Sequence, residues 1–557
     1  MKKIKQHLYK ISFTFLVFCL MSNAYVAGED SVAISDDTLD SAITDDQIAL
    51  PDVSTELKLD RQNIEDAAIP DFTQFLPQTD TAFSGLPVLS DGTDEKIALE
   101  AIVQESNNND NSPIYLEGII GGGYPGIFIG NFNVSQTIGD NPFSLSFLHE
   151  AINGYGSHNA SEGYNNSETS LSGVKTFTLS DKLAINGTAL YNTSTWGLQS
   201  KSSYFYNMSR QYIGGTGTMS YQINDVVQLQ TTLDASYDNR FAGFTVEVPD
   251  TVLTGPNLFT VAPKLNASIE KGNFLIDFSG SYKFASMDSS VDSNDDIMHH
   301  ADINADVSYL FNDLFTLVGG VGGSFTDPAI SSVVVPFYIG GIIEKPFLTL
   351  TAKGGLHSTQ TDIAALQELY PYVQFEKVPT EESKWFGLLD AQIPFMQKYV
   401  TIINVEFNKT AFGNETLWPD YTTQNASGLY DSAYYDVTEL ITKMAFSAQF
   451  NKIGSTIGWE GNWLDKIEGT NTHEVYTDIS YTTADKKGSL QLELVQSIIS
   501  FEVPQISFSS FYQFAKPFQL ELSLEDIVYL FTGDDRLIAG EYCDQGGSVS
   551  LKMKLFF

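Results

Sequence analysis

The sequence predicts an all-β fold: a transmembrane antiparallel β-barrel of about 22 strands with a short, mostly irregular N-terminal extension. Three observations carry this. Segment after segment alternates apolar and polar residues with period two. Short polar turns at one end of these segments alternate with longer, irregular loops at the other. The final stretch, SVSLKMKLFF, keeps the alternation to Phe557.

The alternation is sustained. In VVQLQTTLDASYD, Val227, Leu229, Leu233, Ala235 and Tyr237 share one face, and Gln228, Gln230, Asp234 and Ser236 the other. HADINADVSY sets Ala301, Ile303, Ala305, Val307 and Tyr309 against Asp302, Asn304, Asp306 and Ser308, and SLQLEL and FQLELSLE repeat the scheme. A soluble sandwich or propeller would alternate too, so the connections decide. Tight polar turns (IND at 223–225, EKGN at 270–273, EKPF at 344–347, AKPF at 515–518) alternate with long ones, among them 153–168, 288–296, 359–384 and 411–435. Short turns on one side and long loops on the other are the asymmetry of an outer-membrane barrel. An even strand count puts both ends of the barrel on the short-turn, periplasmic side. The tryptophans then fall at the loop side, with Trp196, Trp385, Trp459 and Trp463 as candidates for an outer aromatic girdle.

Composition agrees. Only 18% of residues are charged, whereas 13% are aromatic, a mixture suited to a wall wet on one side and oily on the other. The net charge of −39 excludes a nucleic-acid partner. Residues 1–24 combine a basic start (MKKIKQHLYK), an apolar run and small residues, so they read as a secretory signal peptide cleaved after Ala24. Cys543 is then the remaining thiol, and no intramolecular disulfide is expected. Residues 25–112 form an acidic, largely irregular periplasmic segment, rich in Asp, Asn and Pro, and the barrel spans 113–557.

In the last strand, Val549, Leu551, Met553 and Leu555 are expected to face lipid. Lys552 and Lys554 face the lumen with Gln519 and Glu521 of the preceding strand; Lys175 is a further lumen candidate. The strand is expected to pair back onto IYLEGIIGGG and leave no edge. A terminal Phe after alternating apolar residues resembles the assembly signature of bacterial outer-membrane barrels. Leu555 and Phe557 would be read by the Gram-negative barrel-assembly machinery, and outer-membrane lipid would surround the product.

The strand number, and the ending LEDIVYLFTGDDRLIAGEYCDQGGSVSLKMKLFF with its turn-rich loop and Gly pair, resemble the TonB-dependent receptors. The resemblance covers at most Pro113 to Phe557. It implies nutrient passage through a lumen closed by a plug and energised by a periplasmic partner. The chain departs from that pattern at its N-terminus: between Glu29 and Ile114 the glycines are Gly85 and Gly92, and no plug-like motif occurs. Three ways of closing the lumen stand open. The acidic segment folds inside as a reduced plug against Lys175, Lys552 and Lys554; the outer loops fold inward; or residues 29–111 stay in the periplasm and recruit a protein partner. Among the loops, 359–384 stands out, because DIAALQELY can form a short helix with PYVQF packed beneath it. Two other functions are a general or fatty-acid-type diffusion porin and a structural barrel that docks a periplasmic complex.

No enzyme is expected, since HExxH, CxxC, P-loop and GxSxG are all absent. His299 and His300 fall on opposite faces of one strand, which spoils them as a metal pair. His149 reads as an interfacial histidine. The four aspartates of DSSVDSNDD (288–296) lack the Gly and distal Glu of an EF-hand and read as a solvated loop. No metal and no cofactor are predicted, and the substrate follows no readable motif.

Overall fold

The computed structural model describes residues 114–556, apart from short stretches at 137–140, 156–157, 245–256, 289–295, 313, 328–331, 376–380, 396–397, 465–471, 485, 500–502 and 533–536. The predicted signal peptide and acidic segment, Phe557 and most of the DSSVDSNDD loop therefore lie outside the described residues.

A closed antiparallel barrel of 22 strands begins with Tyr115–Tyr124 and ends with Ser548–Phe556. Each strand pairs with its sequence neighbour, and a short extra strand, Ser332–Val334, joins the tip of Phe315–Asp327. Closure occurs as the alternation required: Glu117 pairs with Phe556, Ile119 with Lys554 and Gly121 with Lys552. The glycine-rich first strand serves this contact. A Cβ at Gly121 would stand 2.9 Å from both the Leu551 carbonyl and the Lys552 side chain, so the two strands approach at a distance that excludes any other residue.

Register fixes which face is which. Leu520 pairs with Met553 and Leu522 with Leu551, and Leu520 and Leu551 are exposed on the outer surface. Gln519, Glu521, Lys552 and Lys554 occupy the alternate positions and face the lumen. Carried strand to strand, the same parity places Ile120, Phe128, Phe147, Leu233, Ile303 and Leu389 outside, all exposed. His300, Asp302 and Asp306 lie inside on the strand Asp296–Asn312. The two histidines separate as expected. His299 meets Tyr282 on the outside, while His300 is buried within, its ring 2.7 Å from Thr326 Oγ1 and 2.8 Å from Asp302 Oδ2.

Candidate functional site

Four outer connections, at 198–204, 360–375, 411–437 and 537–547, pack on one another and on inward side chains of the wall. One regular element among these connections is the helix Ile363–Leu369. Asp362 caps it by accepting a hydrogen bond from the Ala365 N–H at 3.2 Å, Ala and Leu favour it, and Pro371 ends it. Seven residues make a marginal helix in isolation, so its stability comes from packing. Ile363 and Gln367, one turn apart, are its buried face. Beneath follow Tyr372, Val373 and Phe375, all buried, as the PYVQF reading anticipated.

The hairpin of Thr416–Gln424 and Tyr430–Tyr435 docks on this segment by backbone bonds: Tyr430 N–H donates to the Tyr372 carbonyl at 2.9 Å and Gln374 N–H to the Tyr430 carbonyl at 2.8 Å. The 537–547 loop completes the cap. Tyr542 stacks on Tyr372 with ring centroids 3.7 Å apart, and its hydroxyl donates to the Gly428 carbonyl at 2.6 Å. Each large apolar side chain so buried contributes about 1.5–3 kcal/mol, enough for loops to hold without regular structure. Burial also acts on the phenols: it raises Tyr370, Tyr372 and Tyr542, and pushes Tyr421 up to about 12.

Two arginines on adjacent strands bind this cap to the wall. Arg210, on Phe205–Gln222, donates through Nε to both carboxylate oxygens of Asp238 at 3.0 and 2.9 Å, and its Nη1 reaches Glu368 of the cap helix at 3.0 Å. Arg240, on Val227–Phe244, donates to the Val373 carbonyl at 2.6 Å and to the Pro371 carbonyl, with its guanidinium 5.2 Å from the centre of the Trp196 ring. Arg210, Asp238 and Arg240 are almost fully buried, so the ion pair and the carbonyl contacts are shielded from water. On the neighbouring wall Lys283 stands 3.7 Å from Asp362, the helix-capping carboxylate.

The predicted lumen residues divide. Lys554 forms an ion pair with Glu521 at 3.0 Å, Gln519 donates to the same carboxylate at 2.8 Å, and Lys552 faces Glu521 across the strand pair. Lys175 does not join them. It pairs with Phe143 on the outward face, its ammonium 5.2 and 5.7 Å from the Phe143 and Phe177 rings, because the pleat sets it in line with Leu171 and Leu179. Trp196 also departs from the girdle reading: its parity is inward, and it is buried under the cap beside Arg240. Trp385 and Trp463 are exposed on the outward face, and Trp459 and Trp463 surround His473 at 5.9 and 4.4 Å. Leu555 faces outward.

Sequence reasoning passed over Arg210, Asp238 and Arg240. A signal existed: only four arginines occur in a chain with 30 basic residues, and these two fall on consecutive strands at inward positions.

The fold, a closed 22-strand antiparallel barrel, is that of the solved TonB-dependent receptors. No protein-family model matches it, and no curated protein sequence does. Among solved structures, the FrpB iron transporter from Neisseria meningitidis superposes with a TM-score of 0.63 at 8% identity, over 82% of this chain and 84% of that one. The copper transporter OprC gives 0.60 at 11% identity, over 81% of each. The siderophore receptor PiuA from Acinetobacter baumannii gives 0.57 at 10%, over 80% and 82%. Identities this low speak for the fold.

Proposed function

We propose that this protein passes a scarce solute across the outer membrane and that the packed outer loops are its resting closure. The observation that carries the reading is the anchoring of helix Ile363–Leu369 and the irregular segment after it, 371–375, to inward wall residues by Arg210 and Arg240. A freely diffusive pore has no use for loops tied to its wall by buried guanidinium groups. The three solved structures compared above are named as copper, iron and siderophore proteins, which supports metal or metal-chelate nutrients as the substrate class here. Passage against a gradient would need energy from a periplasmic partner of the TonB kind, met through residues 29–111. Nothing in the reading asks for catalysis.

Conductance in planar bilayers tests it. The wild-type chain is expected to be nearly silent, and Arg240→Met, which frees two carbonyls of the cap, to conduct in bursts. A wild type that conducts steadily would favour the diffusion porin. Silence in both, with loops shown to be released, would move closure to the N-terminal segment. A periplasmic complex that co-purifies with the protein and is lost when residues 29–111 are deleted would favour the docking barrel.

A further inference from the structure

Lysine is distributed around this barrel in a way that transport does not use. Six of the short turns carry an exposed lysine: Lys182, Lys271, Lys398, Lys452, Lys486 and Lys516. The chain has 69 acidic residues against 30 basic ones, so composition alone would have put carboxylates there. Beside these lysines stand exposed, outward-facing apolar side chains: Leu179, Phe274, Phe395, Phe450, Tyr481 and Phe514 respectively. A hydrocarbon-facing apolar side chain within a few residues of an ammonium gives the sequence of layers met on leaving a bilayer through its headgroups.

Register adds a second, independent observation. At two turns that hold both signs, the two part: Glu270 pairs with Leu275 and Glu344 with Thr349 at inward positions, while Lys271 pairs with Phe274 and Lys345 with Leu348 at outward ones. The carboxylate is thus directed to the lumen mouth and the ammonium to the surrounding lipid.

We propose that this rim binds anionic phospholipid headgroups of the periplasmic leaflet, one phosphate region to each lysine-bearing turn. The occupant is lipid rather than an acidic protein because the lysines adjoin the lipid-facing aromatics around the circumference. A protein docking at the mouth would be met by inward positions, and the inward charge there includes Glu270 and Glu344. Lysine near an anionic surface gains attraction that falls off within a Debye length, so the contact is also salt-sensitive.

The test is native mass spectrometry of the refolded full chain offered equal amounts of phosphatidylglycerol and phosphatidylcholine. The wild type is expected to retain the anionic lipid about fivefold over the zwitterionic one, with the preference lost in about 0.5 M salt. The variant carrying Lys→Gln at all six turns is expected to show no preference while keeping the heat-modifiable mobility of a folded barrel. Should it not fold, the two three-lysine variants (182, 271, 398 and 452, 486, 516) are each expected to lose part of the preference. Equal retention of both lipids by the wild type, or an undiminished preference in the variants, overturns the proposal. So does a wild type that ignores phosphatidylglycerol but binds polyglutamate through these lysines, which would give the rim to an acidic polypeptide.

Discussion

Gln199 and Cys543, 344 residues apart in sequence, exchange two hydrogen bonds: the Gln199 amide donates to the Cys543 carbonyl at 2.8 Å, and the Cys543 N–H donates to the Gln199 side-chain oxygen at 2.9 Å. Both residues are buried. One side-chain amide thereby does for the 537–547 loop what a neighbouring strand would do, and it does so from a backbone held at φ +49°, a conformation rare outside glycine. The cap's last loop is fastened at this point.

Gln199→Ala removes both bonds and leaves a buried carbonyl and N–H without partners, a cost of about 2–3 kcal/mol that falls on the loop and not on the barrel. Cys543 reports it directly. In the wild type the thiol is buried, so maleimide labelling is expected to be slow; in the variant it is expected to speed up at least tenfold with strand content unchanged. Equal labelling rates would show that aromatic packing alone holds the loop.

The two partners of Arg210 differ in what their loss costs. Asp238 is 1% exposed, whereas the Glu368 side chain is 69% exposed. Glu368→Gln is expected to change cap stability by less than about 1 kcal/mol, as exposed ion pairs do. Arg210→Met strands a buried carboxylate and should cost about 3–5 kcal/mol. Thermal melting of the two variants side by side checks the ranking, and a reversed order would mean that Asp238 reaches water when the arginine is gone.

Alkaline pH should loosen the cap. Tyr421 is pushed up to about 12 by burial, and Tyr370, Tyr372 and Tyr542 are raised in the same way. An opened cap would expose phenols that ionise near pH ~10. Between about pH 10 and 12 the open state therefore releases protons that the closed state retains, and the stability of the closed state falls as pH rises. Below pH ~10 these phenols are neutral in both states and add no pH dependence. Near-ultraviolet phenolate absorbance is expected to show a late-titrating group of tyrosines that joins the main transition in Arg240→Met.

The pairing of the last two barrel strands can be probed at Lys554. Reversing it to Glu sets two carboxylates together where Lys554 and Glu521 now lie 3.0 Å apart, with Gln519 on the same acceptor. The pair is only partly buried, so the loss should be about 1–2 kcal/mol, read as a lower midpoint for the heat-modifiable band of the folded barrel. The double variant Glu521→Lys with Lys554→Glu is expected to recover most of it.

Period-two alternation and the unequal turns determined the barrel, its strand number, the strand that closes it and the facing of Lys552, Lys554, Gln519 and Glu521. These are legible because the pleat sends every second side chain to one solvent, so a local pattern states a global surface. The same rule misled only where a residue was judged by type and not by register. Lys175 looked like a lumen cation but keeps step with Phe143 and Phe177, and Trp196 looked interfacial but keeps step with Met208 under the cap. The helix within 359–384 was also readable, from Asp362, the Ala–Leu run and Pro371. The tertiary structure alone decided what that helix touches. Arg210 meets Glu368 from 158 residues away and Gln199 meets Cys543 from 344, and such pairings depend on which loops lean inward over a closed ring of strands. No periodicity encodes that choice, because it is made by packing between segments that share no ladder.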